Sequence, residues 1–195
     1  MGEDDHWNYD RCREQISSLR GRRGFPDIPH LDFLGLSLDL PSGTLTSEPG
    51  EIPVPGFRPA VFCILDTYSR ATGSPETFRL VPFRQLPGAS AYEAAFHRRA
   101  VLPLPALYCR DRDRFCKAVI ELGGIPVVYA DRAWKLAALP EVPVYVLIWD
   151  GSGEFPASAA LLFDASVPAY LETEAAAMLG ELVTDRIAFF CERRE

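Results

Sequence analysis

Apolar and polar positions along the chain fall into short blocks of changing period, and each block's period predicts an element. Over residues 4–20, Tyr9, Cys12, Ile16 and Leu19 recur at helical spacing and predict a first helix. Gly21, Gly24, Pro26 and Pro29 break that pattern, so residues 1–30 read as a helix and linker ahead of a core over 31–190. Leu36, Leu38 and Leu40 alternate with Ser37 and Asp39, the period of a half-buried strand. Pro41, Ser42 and Gly43 then form a turn, and residues 44–47 return as a partner strand. Pro49, Pro53 and Pro55 make residues 48–56 a loop. Phe57, Val61, Leu65 and Tyr68 share one helical face, with Pro59 tolerated in the first turn and Gly73 as the stop. Residues 78–84 alternate imperfectly. Pro82 lacks the N–H that a central strand would need, so this is an edge segment.

Ser90 and Glu93 stand at capping-box spacing and predict a helix that starts at Ser90. The stretch VLPLPALY carries two prolines and reads as an irregular connection. Asp111 caps a helix with Phe115, Val119 and Leu122 on one face, stopped by Gly123 and Gly124. Residues 125–129 form a short strand, and residues 131–140 fit either a strand or a helical turn. The most apolar run of the chain follows at residues 142–149. The acidic segment 150–154 separates it from a second apolar run, 157–163, which ends in Asp164. This pattern predicts a buried β-hairpin with carboxylates at its ends. A last helix over residues 173–191 points Ala175, Met178, Leu182 and Phe189 inward. Helices and strands do not alternate regularly. The pattern therefore predicts a single α+β domain, its antiparallel sheet centred on residues 142–164, with helices packed on one face and the C-terminal helix covering the sheet.

Composition narrows the function classes. At 195 residues the chain is of one-domain size, and 48% hydrophobic residues suit a globular core. A net charge of -7 argues against nucleic acid, whose phosphates select clustered Lys and Arg. The early cluster Arg20, Arg22 and Arg23 reads as a solvated linker, with an anion site as the alternative. Only Lys117 and Lys135 are available as side-chain amines, since arginine does not give up its proton. No run of eighteen apolar residues exists, so no membrane span is expected. The acidic N-terminus is the opposite of a secretory signal, which points to the cytoplasm. Five scattered cysteines are expected as free thiols in a reducing compartment.

The phosphate-loop, dinucleotide, zincin, CxxC and nucleophile-elbow signatures are absent, so no motif fixes a cofactor. Asp150 and Glu154 bracket the hairpin turn, Asp164 ends its second strand, and Asp131 ends the strand before it. Carboxylates at strand ends suit acid–base work or a hard cation, although turns favour Asp for backbone reasons alone. Arg84 and Gln85 precede the helix start at Ser90, where free backbone N–H groups favour an anion. Arg84 is alternatively the partner of one of those acids. His97, Cys109 and Cys116, with Cys63, lack the short knuckle spacing of zinc sites, so no metal is assigned. His6 and His30 receive no role, and Trp134 and Trp149 read as packing residues.

Three stretches, FRQLPGASAYEAAFHRR, ELGGIPVVYAD and VPVYVLIWDGSGEFPASAALLFDASVPAYL, resemble a family catalogued as a domain of unknown function, number 3786. The resemblance runs from about Leu31 to Ala188. Its specific motif is a tryptophan, an acidic run, Phe-Pro-Ala and then Leu-Phe-Asp. Trp149, Asp150, Glu154, Phe155, Pro156, Ala157, Leu162, Phe163 and Asp164 match it. Gly151, Ser152 and Gly153 stand where acids are common in the family, which thins any multi-carboxylate metal site. Some members carry a cysteine-rich iron–sulfur segment that this chain lacks. The resemblance implies the cytoplasm of anaerobic bacteria and archaea, near corrinoid or redox metabolism, and it implies no activity.

The expectation from sequence is thus an accessory protein. It holds a small molecule, cofactor or protein partner between the hairpin turn and the helix at Ser90, in a pocket lined by Arg84, Tyr92, Trp149, Asp150, Glu154 and Asp164. The alternative is a metal-assisted hydrolase or lyase with Asp150 or Glu154 as base and Mg²⁺ as its metal. A third reading is an interaction module that uses the edge near Pro82.

Overall fold

Tyr9–Ser17 (α1) is the first helix of the computed structural model, which describes residues 7–47 and 57–193. The loop expected over 48–56, the helix start at residue 4 and His6 lie outside the described residues. Asn8 caps α1 by accepting from the Arg11 N–H, and Tyr9, Cys12 and Ile16 turn inward. The first sheet is a three-stranded antiparallel meander of His30–Phe33 (β1), Leu36–Asp39 (β2) and Leu45–Ser47 (β3). Here β2 and β3 follow the expected alternation. Strand β1 was not legible, because four residues of mixed polarity carry no clear period.

Phe57–Ser69 (α2) is followed by an extended strap over residues 71–79 and the edge strand Leu80–Pro82 (β4). Residues 83–101 wind as two short 3₁₀ turns, a single helical turn Glu93–Phe96 (α3) and a π-helical turn His97–Val101. Ser90 does not start a helix. It is exposed and makes no cap bond, while Gly88, at a φ of 74°, takes the preceding position in the left-handed region. The stretch expected as irregular is the helix Pro103–Arg110 (α4). Pro103 and Pro105 both fall in its first turn, where a missing N–H breaks no helical bond. Arg112–Glu121 (α5) starts as expected, with the Asp111 carboxylate accepting from the Arg114 N–H at 3.0 Å.

The remaining strands are Ile125–Pro126 (β5), Arg132–Leu139 (β6), Val142–Trp149 (β7) and Ser158–Asp164 (β8), and the chain ends in Thr173–Glu192 (α6). The uncertain stretch before Pro140 is therefore a strand, and the strand expected over 125–129 shortens to two residues. The second sheet runs β4-β8-β7-β6-β5, antiparallel throughout. The fold is a single α+β domain centred on the hairpin.

Strand β7 is buried along its whole length except at Trp149, which explains why its sequence reads as an unbroken apolar run rather than an alternation. On one face Val144, Val146 and Ile148 join Trp134, Leu136, Leu161 and Phe163 in the main core, together with the inner residues of α2, α5 and α6. On the other face Tyr145 and Leu147 pack with Ala133, and around them lie Leu80, Val127, Ala130, Ala160 and Leu162.

Two contacts fix α6 on this core. Arg186 is fully buried. Its Nε donates to the Leu34 carbonyl at 2.9 Å and one terminal nitrogen to that of Gly35 at 3.1 Å, which ties α6 to the β1–β2 turn. Burial alone pushes this guanidinium down to about 10, which leaves it charged at neutral pH. Further up the helix, Gly180 faces the ring of Phe96, which stacks on Phe83 at 4.2 Å between centroids. A Cβ at Gly180 would overlap that ring.

Gly180→Ala tests this packing. Helix propensity alone would add about 1 kcal/mol, whereas overpacking a closed core costs roughly 1–3 kcal/mol. Phe83 and Phe96 are both buried, so the overlap is expected to outweigh the propensity gain and the urea midpoint should fall. An unchanged or raised midpoint would show that Phe96 is free to move.

Candidate functional site

The strap over residues 71–79 leaves α2 and crosses the outer face of the second sheet without forming a strand of its own. Bonds along its length hold it. The Gly73 N–H donates to the Ala169 carbonyl at 3.1 Å. The Ser74 N–H donates to the Tyr170 hydroxyl at 3.1 Å, which in turn donates to the Ser74 carbonyl. The Glu76 carboxylate accepts from the Tyr145 hydroxyl and from Lys135 Nζ, each at 2.6 Å. The Thr77 N–H and hydroxyl both donate to Asp164 Oδ1 at 2.9 Å.

Beside the strap lies an open cleft of about 630 Å³. Its walls come from the strap, from the outward positions of β6 and the start of β7, and from Arg23. Both signs of charge are present. Lys135 on β6 projects outward to Glu76, with its ammonium also 5.7 Å from the Phe78 ring centroid and 5.9 Å from that of Tyr145. Burial and then the neighbouring Glu76 push the Tyr145 phenol up, so it keeps its proton and acts as a donor. Phe78 sits at a φ of 58° and is 72% exposed, a strained position for an aromatic residue.

At the far wall Arg23 donates to the Ala71 carbonyl and lies 3.6 Å from Glu141 Oε2. The Tyr68 hydroxyl braces this corner: it donates to the Arg23 carbonyl at 2.9 Å and accepts from the Glu141 N–H at 3.1 Å. Glu141 Oε2 is buried and has no hydrogen-bond donor. Arg23 is thus a wall residue pinned at its backbone and its guanidinium, not part of a solvated linker. A second cavity of about 400 Å³ lies on the other side of the strap, shares Thr72 and Tyr170 with the first, and carries the Asp66–Arg70 ion pair at 3.0 Å.

None of the six residues singled out from sequence lines either cavity. Asp150 and Glu154 sit at one end of the hairpin and Asp164 at the other, six residues along β8 from Ser158 and so about 20 Å away. Asp150 is a polar node: its carboxylate accepts from the Tyr108 hydroxyl at 2.9 Å and pairs with Arg112 at 3.4 Å, and its N–H donates to Asp131 at 2.8 Å. Arg132 closes the node by donating to the Tyr108 hydroxyl at 3.2 Å. Glu154 is exposed at the tip, and Trp149 is 37% exposed on the outer sheet face. Tyr92 is half-buried against the main core. Arg84 is exposed in a 3₁₀ turn and forms no ion pair among the described residues.

Asp164 has no exposed surface and lines neither of these two pockets, yet it holds the strap beside them. By accepting two bonds from Thr77 it fixes the strap between Glu76 and Phe78. A third bond comes from the Ser166 N–H at 2.9 Å. Burial by itself would push this carboxyl up, but hydrogen bonding from Ser166 and Thr77 outweighs it and holds the group below the usual carboxylate value. Cys63, His97, Cys109 and Cys116 lie on four different turns or helices. Among the described residues no three of His, Cys, Asp or Glu gather as a metal ion would require. No helix among them is long and apolar enough to cross a membrane.

Glu76 and Glu141 were missed from sequence, and Arg23 was noticed only within a basic cluster. Lys135 stood out only as one of two lysines. The Glu76–Lys135 pair spans 59 residues, so no local spacing reveals it.

The sequence model of the family described as "Domain of unknown function (DUF3786)" matches residues 31–186, and the chain belongs to that family. No curated protein and no solved structure matches.

Asp164→Asn should destabilise the fold at neutral pH by roughly 1.5–3 kcal/mol, the range for hydrogen bonds to a charged group. Because the folded carboxyl lies below its ordinary value of 3.8, its contribution is complete above that pH and is lost as pH falls through the folded value. Urea unfolding of both proteins at pH 7 and pH 3 should show a gap that narrows at the lower pH. A gap of equal size at both would assign the loss to packing instead.

Proposed function

We propose that this member of the family is a binding protein for a small polar molecule, held beside the 71–79 strap against the outer face of β6 and β7. The observation that carries the reading is a cleft of about 630 Å³ whose walls carry Lys135 paired with Glu76 and Arg23 facing Glu141. The cavity volume falls in the range of small-molecule sites. The anchored strap supports the same reading, since it holds Glu76 against Lys135 and Tyr145 before any ligand arrives.

The accessory role expected from sequence is kept, and its location moves from the hairpin tip to the strap. Metal-assisted hydrolysis at the hairpin has less support. Asp150 is committed to Tyr108 and Arg112, and Glu154 stands at the exposed tip. The cytoplasm is part of this proposal and is supported by the free state of all five cysteines, as a reducing compartment would leave them.

Ala137 is exposed on β6 and lines the cavity, so Ala137→Trp should fill it without touching the main core. Ligand-observed NMR with a library of small polar fragments should give hits on the wild type that vanish in this variant, at an unchanged melting temperature. Hits that persist, or no hits on the wild type, would overturn the reading.

A further inference from the structure

We infer that the chain pairs with a second copy of itself through the outer face of the second sheet, around Phe78, Ile125, Val128 and Tyr129. This does not depend on the strap cleft holding a ligand. Among the described residues eight large apolar side chains are exposed. Leu102 and Ile120 stand beside or on helices, and Trp149 and Phe155 lie at the hairpin tip. The other four gather in one place. Lys135 and Tyr145 are cross-strand partners on the outer face, and Ile125 is the register partner of Lys135 on its other side. The Phe78 ring centroid lies 5.7 Å from the Lys135 ammonium, and the Tyr129 ring lies 6.1 Å from that of Tyr145. Val128 precedes Tyr129 in a loop whose Val127 and Ala130 pack on the same face. Val128 is 96% exposed, and the other three are more than half exposed.

Area and charge both fit a second copy. At about 150–200 Å² for each whole residue, the four leave roughly 500 Å² open. Two such patches face to face bury about 1,000 Å² before their borders are counted, the threshold for a specific interface. The patch carries no net charge, because its one cation, Lys135, is matched by Glu76 at 2.6 Å. Arg79 follows Phe78 but continues the ladder with Ala165, a position that packs toward the main core on the opposite face. A twofold interface sets a surface against itself, so an unmatched charge there would meet its own sign. A neutral apolar patch escapes that penalty, on a chain whose net charge of -7 opposes self-contact elsewhere. A strongly charged partner would find nothing here to select it. Phe78 adds a conformational sign: it is held in the left-handed region while its ring buries little in the monomer.

Sedimentation velocity over a concentration series tests this. The wild type should pass from monomer to dimer. Val128→Glu alters a side chain that touches almost nothing in the monomer. It should weaken the dimer about tenfold or more, with the melting temperature of the dilute protein unchanged. Phe78→Gly should weaken dimerisation by a similar factor while the dilute monomer melts no lower, since glycine accepts the left-handed conformation. Phe155→Glu, outside the patch, should leave the dimer as it is. A wild type that stays monomeric throughout overturns the inference and assigns the patch to a different partner. A dimer that Val128→Glu and Phe78→Gly leave intact, or that Phe155→Glu dissociates, places the contact elsewhere and overturns it as well.

Discussion

Everything in this structure depends on β7 being buried on both faces. An antiparallel strand usually shows one face to water, and its sequence then alternates. Val142–Trp149 does not alternate, so the fold must supply two covers. Helices α2, α5 and α6 form the first. The second is thinner and comes from the strap over residues 71–79 and the loop over 127–130. An extended strap cannot fill the space over a sheet as a helix does, and it meets this face through a few side chains. The cavity beside Glu76 and Lys135 is the gap that such a cover leaves.

The strap's anchors show how the gap acquires its chemistry. An extended segment without strand pairing must satisfy its backbone elsewhere. Tyr170 meets Ser74, and Asp164 meets Thr77. These bonds place Glu76 within reach of Tyr145 and Lys135 and hold Phe78 in a conformation that an aromatic residue rarely adopts. Strain of that kind persists where neighbours over-determine it, and it tends to occur at functional sites. The opposite corner has the same logic: Tyr68 locks Arg23 and Glu141 through their backbones, and their side chains are left to face each other across an incomplete pair.

The fold was largely legible in the chain, and the site was not. The apolar runs around residues 150–154, the Asp111 cap and the face of Ala175 and Leu182 were readable because period and capping are local signals. The misreadings have local causes as well. Pro103 and Pro105 look like helix breakers until the first turn is placed on them. Ser90 has its capping partner at the right spacing, but Gly88 turns the chain first. Asp150 drew notice as a carboxylate at a turn, and its partners Tyr108, Arg112 and Arg132 account for it by structure alone. Asp164 drew notice as a carboxylate at a strand end, and its bonds to Thr77, which hold the strap, are invisible to local spacing. Glu76, Glu141 and Arg23 are unremarkable in sequence because their meaning lies in contacts that the fold makes late, across the outer face of a sheet.

The account stands on the strap cavity being where this protein meets its ligand. The most direct measurement is a backbone-amide NMR titration with the polar fragment library. Ligand-induced shifts should concentrate at residues 72–77, 135–137 and 141, with residues 84–92 and 149–157 unmoved. Shifts centred on the hairpin tip and the 84–92 segment, with the strap silent, would contradict it.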